Sequence, residues 1–276
     1  KRKEALVGTT WAFTARQFAF SNGYESRDVY ISTNKFDLNL KTEHDLQYGT
    51  QPKAGDIVNF IIESGVLVSS TSTATYALVN PNTWVSGVIV NLIIENGAIV
   101  AGRGGDGGNA AYATIVGGGY VYHAATNGGN GGNGLFIDYP IFIDNTSGVI
   151  GGGGGGGGGG SAGTYLFDEA GGGGGGAALG AGGLRGNVDG TNKWPAHDGD
   201  NANADNIHGG NGGANAGFTG FSAGNGGNGG DLGQNGQNGG DAFQHNYGLG
   251  GIAGDCIHGN SFITWVATGT RYGAIV

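Results

Sequence analysis

The residues best suited to bind a metal ion are carboxylates in the segment 197–208, which has a histidine at each end. They are Asp198, Asp200 and Asp205. A calcium-binding loop also needs an oxygen ligand at its fifth position, a glycine at its sixth and a distal glutamate. Ala202 and Asn203 stand at the fifth and sixth positions, so we interpret the segment as a solvated acidic loop and predict no metal site.

Gly102, Gly104 and Gly107 fit the dinucleotide-binding fingerprint and follow an apolar, strand-like run. That fingerprint requires a helix whose N-terminus holds the pyrophosphate, whereas more glycine follows here. The histidines lack metal-ligand spacing, no nucleophile elbow is present, and Cys256 has no second cysteine with which to form a disulfide. The sequence therefore predicts no cofactor and no catalytic residues, and hence a protein that is not an enzyme.

Glycine divides the chain into two parts of different composition. It fills 66 of the 276 positions, far above the usual level of about 7%, and only seven glycines precede residue 101. The chain contains no methionine and begins Lys1-Arg2-Lys3, so we expect it to be a fragment or processed product of something longer. No apolar run approaches the roughly 18 residues of a membrane span, and no secretion leader is evident.

The charge of the chain is acidic and unevenly distributed. The net charge is −9, and residues 102–276 carry twelve acidic side chains against four basic ones. Nucleic-acid binding needs a concentrated basic surface, and attraction to anionic lipid needs basic residues as well. The sequence therefore argues against both kinds of partner.

A repeated strand pattern precedes the glycine-rich part. Residues 58–68 match residues 90–100 almost position for position, and a looser third copy runs from Ile141 to Ile150. Each copy has a β-branched run, an acidic turn with glycine and a second apolar run, so the copies are predicted to form strands that stack on one another. The first 56 residues offer further strand candidates such as Val29–Ser32, and no helical periodicity stands out there.

The glycine tracts are predicted to be packed helices of the left-handed polyglycine II type. A flexible linker would not alternate repeatedly with apolar and aromatic segments, and collagen requires glycine at every third position with abundant proline. A calcium-binding nonapeptide β-helix requires a regular period that is absent here. Polyglycine II helices have no internal hydrogen bonds, so their N–H and C=O groups can pair between neighbouring helices.

Position within such a bundle decides which residues are tolerated. A side chain facing a neighbouring helix would hold the backbones apart, so interior helices require glycine throughout, as in Gly151–Gly160. Outer helices can carry Asn, Asp or Ala where they face water, as in residues 128–133 and 226–231. The predicted fold is mostly irregular and all-β, with a short β-strand repeat region leading into a sandwich of polyglycine II helices with exposed loops. Its predicted regions are a β-rich connector at 1–56, the strand repeats at 57–100 and the polyglycine-helix domain at 101–276.

Most aromatic residues of the glycine-rich part lie in segments between the tracts, at 110–127, 161–170, 184–208, 218–223 and 241–247. Tyr and Trp offer large contact areas at small entropic cost and dominate binding surfaces. Loops at the ends of rigid elements are common recognition sites, although aromatic residues there can also cap the bundle. The residues predicted to bind a receptor are Tyr112, Tyr120, Tyr122, Tyr165, Phe167, Trp194, Phe218, Phe221, Phe243 and Tyr247.

The strand repeats that enter Ala101-Gly102-Arg103-Gly104-Gly105-Asp106-Gly107-Gly108, followed by glycine tracts and aromatic segments, resemble the adhesins at the tail-fibre tips of T-even-like phages. The run from Gly259 to Arg271 resembles the end of the tip-attachment, or host-specificity, proteins of lambda-like siphophages. The resemblance covers residues 57–276 and is strongest at 88–109 and 257–276.

This resemblance implies a receptor-binding protein at the tail tip of a virion, which recognises an outer-membrane protein or surface glycan of a Gram-negative host. The segments between polyglycine helices would determine host range. The partners would include the rest of the tail fibre or tail tip, and a homotrimer is one assembly that the resemblance allows. A hydrolytic tail spike would instead show a long repetitive β-helix, which the sequence lacks. The alternative is a structural, ice-binding or bacterial surface protein, although ice binding would need a flat face of small residues.

Overall fold

A computed structural model describes residues 23–162, 169–186, 196–216, 223–242 and 246–276. Its helices are α1 (Leu40–Tyr48) and a 3-10 helix (Asn260–Phe262), and none in this part of the chain is long and apolar enough to cross a membrane. The strands are β1 (Ser26–Ile31), β2 (Lys35–Phe36), β3 (Leu38–Asn39), β4 (Ile57–Ile62), β5 (Leu67–Ser69), β6 (Leu78–Asn80), β7 (Ile89–Ile94), β8 (Ile99–Ala101), β9 (Tyr112–Val116), β10 (Gly119–His123), β11 (Leu135–Ile137), β12 (Ile141–Asp144), β13 (Val149–Gly151), β14 (Ile257–His258), β15 (Ile263–Ala267) and β16 (Thr270–Tyr272).

Apart from the hairpin β9–β10, the described strands form three parallel sheets that the chain visits one after another. Sheet 1 has the order β1-β4-β7-β12-β15, sheet 2 has β2-β5-β8-β13-β16, and sheet 3 has β3-β6-β11-β14. Because each strand pairs with its counterpart one circuit later, the chain winds as a parallel β-helix. The sequence led us to expect no long repetitive β-helix, and the one formed here is short. Insertions between β8 and β11 and between β13 and β14 interrupt its repeat and conceal it in the sequence.

The predicted stacking of the strand repeat is confirmed in register. Val90 pairs with Val58 on one side and with Ile141 on the other, so the three copies lie side by side in sheet 1. Their inward side chains, such as Phe60 and Leu92, are fully buried in the core that the three sheets enclose. Strands from all three predicted regions join this sheet. The division of the chain at residues 56 and 100 stays a prediction, which limited proteolysis would test.

Helix α1 was not predicted, because its pattern is short and only weakly amphipathic. Its ends nevertheless carry ordinary helix signals: Asn39 Oδ1 accepts the N–H of Thr42 at 3.1 Å, and Gly49 ends the helix with a φ of 66°. The helix packs against β1, β3 and β6 and buries His44 completely.

His44 is held in its neutral form by its hydrogen bonds. The guanidinium of Arg27 donates to His44 Nε2 at 3.2 Å, so the ring proton lies on Nδ1, which faces Asp45 Oδ1 at 2.9 Å. Burial away from water lowers the pKa of His44, and the hydrogen bond with Asp45 opposes this shift only in part. Protonated His44 could no longer accept from Arg27 and would be repelled by Arg27 and Lys41.

We therefore expect the β-helix to lose stability as the pH falls below about 6.5, the pKa of histidine in the unfolded chain. The folded pKa of His44 lies below the unfolded value of about 6.5, so its contribution is complete above that value and is lost as the pH falls through the folded pKa. Thermal unfolding of the wild type and His44→Gln across this range tests the prediction. An equal loss in both proteins would show that His44 is not the titrating group.

The insertions between β8 and β11 and between β13 and β14 form extended tracts that run alternately away from the β-helix and back to it. We number them tract 1 (102–109), tract 2 (126–134), tract 3 (151–161), tract 4 (170–177), tract 5 (180–186), tract 6 (196–203), tract 7 (208–216), tract 8 (223–231), tract 9 (234–242) and tract 10 (246–255). Backbone bonds between tracts recur at every third residue. In tract 3, the N–H groups of Gly153, Gly156 and Gly159 donate to tract 2, and the intervening N–H groups donate to tracts 4 and 9.

The hydrogen bonds arrange the tracts in three layers. The layers have the orders 2-1-5, 10-3-4-6 and 9-8-7, and tracts 3 and 4 each bond to six neighbouring tracts. Every residue of these two tracts is buried, which agrees with the expectation that Gly151–Gly160 is surrounded on all sides. A β-carbon at Gly152–Gly160 would collide with backbone carbonyl groups of adjacent tracts, so glycine is required there.

The bundle is joined to the β-helix by an apolar cluster at the turns nearest the sheets. Ala177 ends tract 4 and Ala178 follows it, while Leu232 follows tract 8. These three residues pack with Ala101 at the end of β8. Ile207, in the turn between tracts 6 and 7, packs against the same cluster. The turns between tracts 4 and 5, 6 and 7, and 8 and 9 therefore lie beside the β-helix.

Candidate functional site

We call the end of the bundle away from the β-helix the distal end. Because successive tracts run alternately away from the β-helix and back to it, the connections that follow the outgoing tracts lie at this end. The described residues that flank these connections bond to one another there: the N–H of Ala111 donates to the Gly160 carbonyl, and Glu169 and Ala216 exchange a pair of backbone bonds. The connections from tracts 1, 3, 5, 7 and 9 to the tract that follows each of them all depart from this end.

The hairpin β9–β10 projects from the distal end between tracts 1 and 2. Its turn is formed by Gly117 and Gly118, whose φ values of 60° and 84° match the tight turns that favour glycine in two-residue hairpins. Tyr112 stacks on His123 with ring centroids 4.3 Å apart. Tyr122 is 53% exposed, so the hairpin offers an aromatic side chain to solvent on a cross-bonded support.

Buried polar contacts fix the bundle beneath the loops. The carboxylate of Glu169, which is 3% exposed, accepts the N–H of Ala196 at 3.2 Å, and Arg185 Nη1 donates to the Ala196 carbonyl at 2.9 Å. Ser161 Oγ accepts the N–H of Ala242 at 2.5 Å. These bonds tie together the ends of tracts 3, 4, 5, 6 and 9, so the loop segments begin and end on fixed points.

The predicted receptor-binding residues differ in how far the structure describes them. Tyr112 and Tyr122 are exposed on the hairpin, Tyr120 belongs to β10, and Tyr247 is half-buried at the distal end of tract 10. Tyr165, Phe167, Trp194, Phe218, Phe221 and Phe243 lie outside the described residues. Contact of any of these residues with a receptor therefore stays a prediction.

The predicted loop at 184–208 is wrong over its second half. Residues 196–203 form tract 6, and residues 203–208 form a turn beside the β-helix rather than at the distal end. Tract 6 lies at the edge of the middle layer, so only the side facing tract 4 requires small residues. Ala196, Gly199 and Ala202 supply them at every third position.

The acidic side chains of this segment bind backbone and neighbouring side chains. Asp198 Oδ1 accepts the N–H of Arg185 at 2.8 Å, and Asp205 Oδ1 accepts the N–H of His208 at 3.1 Å. A second bond, between the ring nitrogen Nδ1 of His208 and Asp205 Oδ2 at 2.5 Å, raises the pKa of His208. Among the described residues, no three His, Cys, Asp or Glu side chains are grouped so that they could hold a metal ion.

Asparagine side chains on the outer tracts bind the neighbouring backbone, whereas the sequence reasoning gave them only a water-facing role. Asn130 Oδ1 accepts the N–H of Ile252 at 2.9 Å, while the N–H of Gly131 donates to the Ile252 carbonyl at 2.8 Å. The same pair of bonds joins Asn127 to Leu249. Tracts 2 and 10 run parallel, and each Asn–Gly pair of tract 2 therefore binds both the N–H and the C=O of one residue in tract 10.

Between antiparallel tracts, an Asn–Gly pair makes the same two bonds, but the N–H and the C=O that it binds belong to residues two positions apart. Asn228 Oδ1 accepts the N–H of Gly212 at 2.8 Å, and the N–H of Gly229 donates to the Gly210 carbonyl at 2.9 Å. The spacing of Asn and Asp at every third position was the sequence signal for this arrangement, which we call the side-chain ladder. Its members are Asp106, Asn109, Asn127, Asn130, Asn133, Asp198, Asn201, Asn225, Asn228, Asp231, Asn235 and Asn238.

Two aliphatic side chains extend the exposed apolar surface along tract 10. Leu249 is 51% exposed and Ile252 is 63% exposed, although their backbone groups are fully bonded to tract 2. They point away from the bundle three residues apart, a spacing of about 9 Å along such a tract. The sequence does not mark these two residues as contact candidates, because they lie within a glycine tract and not in an aromatic segment between tracts.

Comparison with known proteins agrees with this architecture. The family model for phage tail fibre adhesin Gp38 matches residues 26–276. The crystal structure of the gp37–gp38 adhesin tip complex of the bacteriophage S16 long tail fibre is similar with a TM-score of 0.59 and 25% identity, over 92% of this chain and 82% of that chain. No curated protein sequence matches.

The match to the family covers the β-helix, the glycine bundle and the distal end together. It places this chain on the tail of a virion, where it acts at the surface of the host cell, and it confirms the predicted adhesin function. The chain belongs to the Gp38 family of phage tail fibre adhesins.

Proposed function

We propose that the distal end of the glycine bundle binds an outer-membrane receptor of a Gram-negative host, without catalysis. One observation carries the proposal: the described residues that flank the connections from tracts 1, 3, 5, 7 and 9 lie at one end of a cross-bonded frame. At that end the hairpin exposes Tyr122, Val116 and Val121. A rigid frame reduces the entropy lost on binding, and exposed aromatic residues supply contact area.

We further propose that this receptor is a protein rather than a phosphate-rich lipopolysaccharide. The aliphatic side chains of Val116, Val121, Leu249 and Ile252 cannot form hydrogen bonds with a sugar, whereas they suit the apolar centre of a protein interface. The net charge of −9 adds repulsion against phosphate groups.

The tracts themselves support the predicted polyglycine II helices. Donors to any one neighbouring tract recur every third residue, which is the period of that helix, whereas strand pairing repeats every second residue. We expect a crystal structure to give tract residues φ near −75° and ψ near +145°. Two-residue alternation in that structure would contradict the proposal.

The similarity to a gp37–gp38 complex supports attachment of this chain to a fibre protein comparable to gp37. We propose that the β-helix makes this attachment, because the bundle directs its loop segments away from it. A homotrimer stays a prediction, and light scattering on the isolated chain tests it by distinguishing one copy from three.

Binding of the fluorescently labelled chain to Gram-negative cells tests the proposed function. We expect binding to a susceptible strain and loss of binding to a matched strain that lacks one outer-membrane protein. Retained binding to every protein deletion, with loss after truncation of lipopolysaccharide, would identify a glycan receptor instead. A folded chain that binds no cell in a broad panel would contradict the receptor-binding role.

The contribution of the hairpin can be measured with one substitution. We expect Tyr122→Ala to weaken cell binding by about tenfold, the usual effect of removing an exposed aromatic contact residue. Tyr30→Ala is the matched control, because Tyr30 is 48% exposed on β1 and lies on the β-helix. Equal binding by both variants would remove Tyr122 from the contact surface.

A further inference from the structure

An asparagine followed by glycine is chemically labile. The backbone nitrogen of the glycine attacks the side-chain carbon Cγ, the Cγ–Nδ2 bond breaks, and ammonia leaves with the proton of the former N–H. Water then opens the five-membered succinimide to aspartate or to isoaspartate, in which the main chain passes through the former side chain. A glycine offers the least steric resistance to this attack, because it has no β-carbon.

The glycine bundle contains several such pairs, and in seven of them hydrogen bonds occupy both reacting groups. Asn127 Oδ1 accepts the N–H of Leu249 at 2.8 Å, while the N–H of Gly128 donates to the Leu249 carbonyl at 2.8 Å. A nitrogen whose proton is held by a neighbouring carbonyl cannot lose that proton and turn toward Cγ. The pairs held in this way begin at Asn127, Asn130, Asn133, Asn225, Asn228, Asn235 and Asn238.

Isoaspartate in a tract would do more damage than the loss of one side chain. It lengthens the main chain by one atom, so every later residue of that tract leaves the three-residue register of its hydrogen bonds. Tracts 3 and 4 depend on that register on all six sides. The packing therefore protects the residues whose modification would disrupt it.

The turn between β7 and β8 contains a pair without this protection. Asn96 is exposed and Gly97 has a φ of 75°. The Asn96 carbonyl accepts the Ser64 hydroxyl at 2.6 Å, but neither the Asn96 side chain nor the N–H of Gly97 takes part in a hydrogen bond among the described residues. Both reacting groups are thus free to meet.

We propose that packing of the tracts protects these seven Asn–Gly pairs from deamidation, and that Asn96 is the first site of this modification in the described part of the chain. Each of the two hydrogen bonds that must open is worth about a factor of five in an equilibrium. Deamidation at any of the seven asparagines held by both bonds is therefore slower than at Asn96 by at least about twenty-five-fold.

The test is incubation of the full chain in mildly alkaline buffer at physiological temperature, followed by peptide mass spectrometry over time. We expect the one-dalton mass increase at Asn96 to appear long before any increase at the seven held asparagines. In concentrated urea we expect Asn96 and these seven sites to react at similar rates. Any of the seven held asparagines that reacts within a few-fold of Asn96 in the folded chain would overturn the proposal. Protection that persists in urea would also overturn it, because local sequence rather than packing would then be the cause.

Discussion

Gly156→Ala lowers the midpoint of thermal unfolding of the glycine bundle by roughly 10 °C. Gly156 lies in tract 3, donates to the Gly129 carbonyl at 2.9 Å and accepts the N–H of Gly251 at 2.7 Å. An added β-carbon would overlap the backbone carbonyl of Asp106, which cannot rotate away as a side chain could. Overpacking of this kind costs about 3 kcal/mol, and each kcal/mol lowers the midpoint by about 2–4 °C in a domain of this size.

Gly129→Ala is the matched control for this prediction. Gly129 lies in tract 2 and is exposed, and its added β-carbon would be 3.1 Å from the nearest atom, the backbone nitrogen of Asp106. Replacing glycine also reduces the entropy of the unfolded chain, which contributes about 0.4–1 kcal/mol in favour of the folded state. We therefore expect a shift of a few degrees at most by scanning calorimetry. An equal fall in both variants would show that burial within the layers does not decide where glycine is required.

Much of this arrangement was predictable because glycine is needed wherever two backbones touch. The run Gly151–Gly160 allows no side chain on any side, and only a tract surrounded by others imposes that condition. The strand repeats were predictable for a related reason, since Val58, Val90 and Ile141 occupy equivalent inward positions in stacked strands.

The parts that sequence reasoning missed are those where the constraint acts on one side only. Tract 6 contains a single glycine, Gly199, because it lies at the edge of a layer and touches only three other tracts. Apart from Ala196 and Ala202, its other positions face water or the side-chain ladder, and the segment therefore resembles an acidic loop. The β-helix was concealed because the insertions of the bundle separate its successive circuits in the sequence.

The distal end was predictable in composition but not in geometry. Aromatic segments between tracts could be recognised by residue type, whereas their placement at one end depends on the direction of each tract. Each short turn, such as 177–180 or 203–208, reverses the direction of the next tract. In the sequence these turns look like interruptions of the glycine pattern, so the direction of each tract could not be predicted. Leu249 and Ile252 were hidden for a different reason. Their side chains are exposed, but they lie within a tract and do not interrupt its glycine pattern.

Replacing Asn127, Asn130 and Asn133 together by alanine has the second largest expected effect. Each change leaves one N–H of tract 10 without its protein acceptor, at Leu249, Ile252 and Asp255. Because these groups lie near the surface, water replaces part of each bond, and the loss is about 1 kcal/mol per site. We expect the triple variant to lose about 3 kcal/mol of stability in the bundle, with faster hydrogen exchange at those three amides.

Comparing Asn130→Asp with Asn130→Ala tests whether the Oδ1 hydrogen-bond acceptor of residue 130 stabilises the bundle. Aspartate keeps an Oδ1 acceptor, and the native chain already uses it in the ladder at Asp106, where Oδ1 accepts the N–H of Ala181 at 2.9 Å. We therefore expect Asn130→Asp to preserve protection of the Ile252 amide, whereas Asn130→Ala loses it. If alanine preserved that protection as well, the backbone bonds between tracts would suffice, and asparagine at every third position would serve solubility alone.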